Sequence, residues 1–155
     1  MNFDYSDEQK MLKEEARRFL GARCDTAVVR GVLDDDDRHH DDALWRAIAA
    51  QGWLGAAIPE AYGGLGLGHV ELCALAEELG RALAPVPFAS TVYFVAEALM
   101  LLGSEEQKTR WLPRIAAGRR VDRHRPWRDA RLGLVPRCEG IARSGRQAID
   151  QQRDR

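Results

Sequence analysis

The sequence predicts an all-α fold: an antiparallel bundle or array of about five to six helices over residues 1–118, with an Arg-rich, disordered tail over 119–155. Three observations predict it. Apolar residues recur at three- and four-residue spacing in several segments. Those segments start at serine or aspartate and stop at glycine, which is how helices are punctuated. The connections between them are short, as in helical arrays.

The first helix is expected from Asp7 to Leu20. Ser6 is its N-cap, and Gln9, three residues on, completes a capping box. Asp7 and Glu8 favour the positive end of the helix dipole. Met11, Leu12, Ala16, Phe19 and Leu20 form its apolar side and Gly21 its stop. Residues 21–40 are poorly patterned; Ala27, Val28, Val29, Val32 and Leu33 either extend this helix or form a short second one. Asp34 to Asp42 then holds six aspartates with His39 and His40. Carboxylates and imidazoles are metal-ligand types, but neighbouring residues point in different directions, and no glycine turn or closing glutamate makes a calcium loop. A solvated acidic turn is expected, with Asp41 or Asp42 capping the next helix.

That helix runs from about Ala43 to Gln51, with Leu44, Trp45, Ile48 and Ala49 inward and Gly52 as its stop. The next spans His69–Arg81, with Val70, Leu72, Cys73, Ala76 and Leu79 apolar, ending at Gly80. His69 is read as structural or surface. Pro85-Val86-Pro87 makes an extended connector. Ser90 or Thr91 caps a helix to about Leu102, which Gly103 stops. Ser104 with Gln107 opens the last helix, which reaches Gly118 and should kink at Pro113.

Residues 52–68 are too glycine-rich for a helix, yet carry Trp53, Leu54, Ile58, Tyr62, Leu65 and Leu67 as apolar anchors. Such a loop is a shaped element rather than a linker. It is not a dinucleotide loop. From Gly64 or Gly66 the fingerprint places His69 or Glu71 where its third glycine belongs, and no strand precedes it.

The stretch Pro59-Glu60-Ala61-Tyr62-Gly63-Gly64-Leu65-Gly66 resembles the P-E-x-Y-G-G-x-G signature of the acyl-CoA dehydrogenase family, in its N-terminal helical domain. Asp7-Glu8-Gln9, Glu77-Glu78-Leu79-Gly80, Gly103-Ser104-Glu105-Glu106-Gln107-Lys108 and Trp111-Leu112-Pro113 agree in order. The resemblance covers about residues 3–118. It implies an FAD-dependent oxidoreductase of acyl-CoA thioesters, in fatty acid or lipid metabolism, in which a glutamate takes the α-proton and the flavin takes the β-hydride. In that family the flavin site and the base lie on a middle β-domain and a C-terminal helical domain. The resemblance therefore transfers no catalytic or FAD-binding residue to this chain, which by itself is expected to be inactive. Glu60, Glu71, Glu77, Glu78 and Glu97 are read as surface or capping carboxylates. Family members are homo-oligomers, and their N-terminal domain forms part of the acyl-chain wall. Val86, Ser90 and Phe94 fall at i, i+4 and i+8, with Thr91 beside them, and are the candidate substrate-binding residues. Core packing is the competing reading of that stripe.

Charge separates the two regions. Residues 1–118 carry 12 Lys and Arg against 19 Asp and Glu; residues 119–155 carry 11 Arg, no Lys and 5 acids. The tail lacks the apolar residues that would offset its chain entropy, so disorder is expected, or at most a short helix near Gln147–Arg153. Two explanations compete. One is a basic arm on a freestanding helical interaction module, binding nucleic acid through phosphates. The favoured one is a shift of reading frame near Gly118, because Arg-rich, Lys-free text is what GC-rich DNA gives out of frame. Cys24, Cys73 and Cys138 have no CxxC spacing, which argues against zinc and a disulfide framework. With no signal-peptide pattern or membrane-length apolar run, a cytoplasmic location is expected.

Overall fold

The computed structural model describes residues 4–119, and the expectations for the tail beyond Arg119 lie outside them. Six α-helices and no strand occur among the described residues: α1 (Asp7–Arg23), α2 (Thr26–Leu33), α3 (Asp42–Ala50), α4 (His69–Arg81), α5 (Glu97–Leu102) and α6 (Glu105–Ala116). Two 3₁₀ turns, Trp53–Gly55 and Glu60–Tyr62, shape the glycine-rich loop, and a π-wound segment, Ala89–Ala96, leads into α5.

The caps lie where local chemistry places them. Ser6 with Gln9 and Ser104 with Gln107 both form complete capping boxes. Asp41 caps α3, and Asp25 caps α2 as a separate short helix. Gly52, at φ 77°, follows α3 in the left-handed region, as expected of a C′ glycine.

Other stops differ from expectation. α1 continues through Gly21 to Arg23. α4 continues through Gly80, and the left-handed position after it is taken by Leu83 at φ 49°. The next helical segment starts before Ser90 and Thr91, which lie inside it rather than at its cap.

α1 packs along α4. Gln9 meets Glu71, Lys13 meets Glu77, Arg17 meets Glu78, and the Cys24 thiol meets the Ala82 carbonyl. The pairs advance in the same order on both helices, so this neighbouring pair is parallel. Short loops force antiparallel neighbours only between consecutive helices; here residues 24–68 intervene.

The main core gathers Ala16 and Leu20 of α1, Leu44, Trp45 and Ile48 of α3, and Leu72, Leu75 and Leu79 of α4 around Trp53 and Leu54. Val70 and Cys73, expected on the apolar side of α4, are exposed. A second cluster, Ile58, Ala96, Leu112 and Ile115, lies under α6. Gly118 closes α6 at φ 63°, and the Trp45 indole N–H donates to its carbonyl at 3.1 Å. The aspartates at 34–37 are exposed, whereas Asp41 turns inward, pairs with Arg38 and receives the Leu44 amide at 2.7 Å.

Candidate functional site

The connector before the π-wound segment is tightly folded. Amides of Val86 and Phe88 donate to the Ala84 and Val86 carbonyls, each at 2.8 Å, and the Asp41 amide fastens Pro85 at 2.9 Å. From there Phe88, Val92 and Ala96 are buried, setting an inward stripe at four-residue spacing. Ser90 and Phe94 are two residues out of step with it and face the other way: Ser90 is exposed and Phe94 is 71% exposed. The two are not core residues. Thr91 is half-buried, and Val86 is half-buried against the main core. Ser90 Oγ donates to the Pro87 carbonyl at 3.1 Å, and the Thr91 amide donates to the same carbonyl at 3.2 Å. Ser90 and Thr91 therefore share one turn, with Phe94 a turn further on.

Sequence reasoning missed the π winding, in which backbone bonds run i→i+5 and which concentrates at functional sites. Its trace in the sequence is the pair Phe88 and Tyr93. Their rings meet edge to face, with centroids 5.7 Å apart. Residues five apart in an α-helix would lie about 140° apart around the axis.

The glycine-rich loop spends its amides on itself. Gly64, Leu65, Gly66 and Leu67 donate to the carbonyls of Pro59, Gly55, Ile58 and Ala56 at 2.7–3.2 Å. A phosphate cradle needs amides pointing at the ligand, and these point at the chain. Trp53, Leu54 and Ile58 anchor the loop as expected, whereas Leu65 and Leu67 face outward. No buried side-chain nitrogen or oxygen among the described residues lacks a partner. The loop amides therefore form no cradle for a flavin pyrophosphate, and no step through FAD is assigned to residues 4–119.

Several carboxylates are engaged within the fold, whereas Glu60 is exposed as expected. Glu71 accepts from Gln9, Glu77 pairs with Lys13, Glu97 meets His69, and Glu105 accepts from Tyr62 and Lys108. Glu78, expected on the surface, is instead fully buried between Arg17 and Arg81. Hydrogen bonding from Arg17 outweighs burial and holds its carboxyl down at about 2, too weak a base for abstracting a carbon-bound proton near neutral pH.

The fold and these side chains define a helical domain that turns one short stretch outward. Residues 6–119 match the family described as acyl-CoA dehydrogenase, N-terminal domain, and the chain belongs to that family. It is 32% identical over 122 residues to the acyl-CoA dehydrogenase FadE26 of Mycobacterium tuberculosis, covering 76% of this chain and 30% of that protein. Among solved structures it is similar to the ChsE4–ChsE5 complex of the same organism, at TM-score 0.64 and 31% identity, covering 77% of this chain and 30% of that one. It is similar also to an acyl-CoA dehydrogenase of Bacillus anthracis solved in complex with FAD, at TM-score 0.57 and 30% identity over 74% of this chain and 20% of that one. The chain therefore spans about a third or less of the length of these relatives. No described helix is long and apolar enough to cross a membrane.

Proposed function

We propose that residues 1–118 form one wall of the acyl-chain pocket in an FAD-dependent acyl-CoA dehydrogenase, an enzyme that removes hydrogens from Cα and Cβ of an acyl-CoA thioester. The wall is the outward turn: Ser90, Thr91 and Phe94, with Val86 at its base. The observation that carries this reading is Phe94, a large aromatic 71% exposed on a helical segment whose other stripe is fully packed. Phe94 with its exposed neighbour Val95, on a rarely used helical winding, supports a surface that meets an apolar partner. The flavin and the base belong to polypeptide outside residues 1–118, so this chain by itself does not turn over. The intact assembly is an oligomer, and the location is cytoplasmic.

Two measurements test the reading. The purified chain, mixed with FAD and desalted, should retain no flavin absorbance and bleach none on addition of acyl-CoA. An acyl-CoA carrying a diazirine at the end of its acyl chain should, on irradiation, label residues 86–94. Labelling confined to other helices would overturn the wall assignment. Flavin that stays bound and bleaches with acyl-CoA would overturn the claim of inactivity. Salt-sensitive retention of DNA or RNA would instead favour a basic-arm function for the tail.

A further inference from the structure

Resting on the wall assignment, we propose that Tyr93 is the positioning residue that holds Ala89–Ala96 in its π winding and so aims Ser90 and Phe94 outward. Three observations carry it. The Tyr93 hydroxyl donates to the Leu72 carbonyl at 3.0 Å, fastening the middle of the segment to α4. The Tyr93 ring meets Phe88 edge to face, five residues back, at an interplanar angle of 72°. That contact suits an i→i+5 spiral and is broken by an α-helical one, where the two residues fall about 140° apart. Phe88 in turn is buried in the main core, so the ring pair is referenced to a fixed point rather than to a mobile surface.

The two contacts act on opposite ends of one side chain. The ring sets the rotation of Tyr93 about the segment axis, and the hydroxyl sets its height along α4. Burial pushes the phenol up to about 12, so the hydroxyl remains a donor throughout the neutral range. No other side-chain hydrogen bond ties the residues 89–96 to another helix among the described residues. Without the latch the segment gains by returning to the commoner α winding, and every side chain after Phe88 rotates around the axis. Ser90 and Phe94 would then present a different face to an acyl chain, and Val92 and Ala96 would shift within the two clusters that bury them.

Tyr93→Phe removes the hydroxyl and keeps the ring; Tyr93→Leu removes both. The test is amide hydrogen exchange of the full chain, read by NMR. In Tyr93→Phe, amides 93–97 should exchange about fivefold faster, the expected effect of one lost neutral hydrogen bond, with α1 and α6 amides unchanged. Tyr93→Leu should give a larger effect and move the ¹³Cα shifts of residues 89–96 towards α-helical values. Acceleration spread evenly over all helices, or none at 93–97, would overturn the latch. The diazirine acyl-CoA supplies the second readout. In Tyr93→Leu the label should leave Phe94 for neighbouring positions; an unmoved label despite altered ¹³Cα shifts would overturn the aiming role. Absence of label in the unaltered chain would refute the wall assignment alone, and the exchange rates would still decide the latch.

Discussion

Arg17 grips Glu78 with two nitrogens: Nη2 lies 2.8 Å from one carboxylate oxygen and Nε 3.1 Å from the other. Arg81 adds a third bond at 2.9 Å from the same helix as Glu78. The carboxylate is fully buried while both arginines keep about half their side chains in water. The charge is therefore matched by donors that stay partly hydrated, and the usual cost of burying an ion pair falls mainly on one partner. Paired fork geometry also fixes the register of parallel helices α1 and α4.

This arrangement makes stability depend on acid. The folded carboxyl of Glu78 titrates at about 2, below its ordinary 4.5. Its contribution is therefore complete above about pH 4.5 and is lost as pH falls towards 2. Asp4, Glu71 and Glu105 are lowered too and act in the same direction. Glu78→Gln should cost about 2 kcal/mol at pH 7, the scale of hydrogen bonds to a charged group. It should also flatten the acid limb of a urea-midpoint profile between pH 5 and 2. An unchanged limb would show that the pair carries no net stability.

Gly64 is required by a close approach. A Cβ there would lie 2.0 Å from the Ile58 carbonyl oxygen, which the Gly66 amide already holds at 2.9 Å. Both atoms are backbone, so the loop cannot yield locally. Gly64→Ala should destabilise by at least about 2 kcal/mol. Gly21 supplies the opposite case: it lies inside α1 with nothing near its would-be Cβ. Gly21→Ala should stabilise by about 0.5–1 kcal/mol. Thermal melts of the two variants should move in opposite directions, and a shift of the same sign would contradict the packing argument.

What could be read from the sequence was set by distance along the chain. Ser6 with Gln9, and Ser104 with Gln107, are rules of three residues, and both held. The inward faces of α3 and the loop anchors Trp53, Leu54 and Ile58 were legible for the same reason. Glu78 was not, because its first partner, Arg17, is 61 residues away and a carboxylate in a polar run looks solvated. Gly21 and Gly80 read as stops, yet each sits in a helix with open space beside it. The outward turn was half legible. Spacing put Ser90 and Phe94 on one face, but a four-residue repeat fits both α and π winding, so neither the winding nor the inward stripe at Phe88, Val92 and Ala96 could be chosen.

Leu83 occupies a position made for glycine. The Ala84 amide reaches back to the Leu79 carbonyl and the Leu83 amide to that of Gly80, each at 3.0 Å, the paired bonds of a Schellman motif. That motif needs its C′ residue left-handed, and Leu83 has φ 49° with its side chain 69% exposed. Nothing is gained from its packing, and the strain of a left-handed leucine is about 1–2 kcal/mol. Leu83→Gly recovers that strain less the added freedom of the unfolded chain. A net gain of about 0.5 kcal/mol is expected in denaturant titration; a loss would mean that Leu83 makes contacts its exposure does not suggest.

Leu101 and Leu102, at the end of α5, are 73% and 70% exposed, and Phe94 and Val95 are 71% and 48% exposed on the segment before it. Single exposed leucines are ordinary, but adjacent ones continuing an apolar segment favour association. The chain should therefore self-associate as concentration rises in sedimentation velocity. Leu101→Ser with Leu102→Ser should shift it towards monomer. Because neither residue belongs to the buried core, the same pair should leave unfolding stability within about 0.5 kcal/mol per substitution. A chain that stays monomeric at every concentration before any substitution would show that this surface is tolerated in water. A large loss of stability in the variant would show that the two leucines pack within the fold rather than against a second molecule.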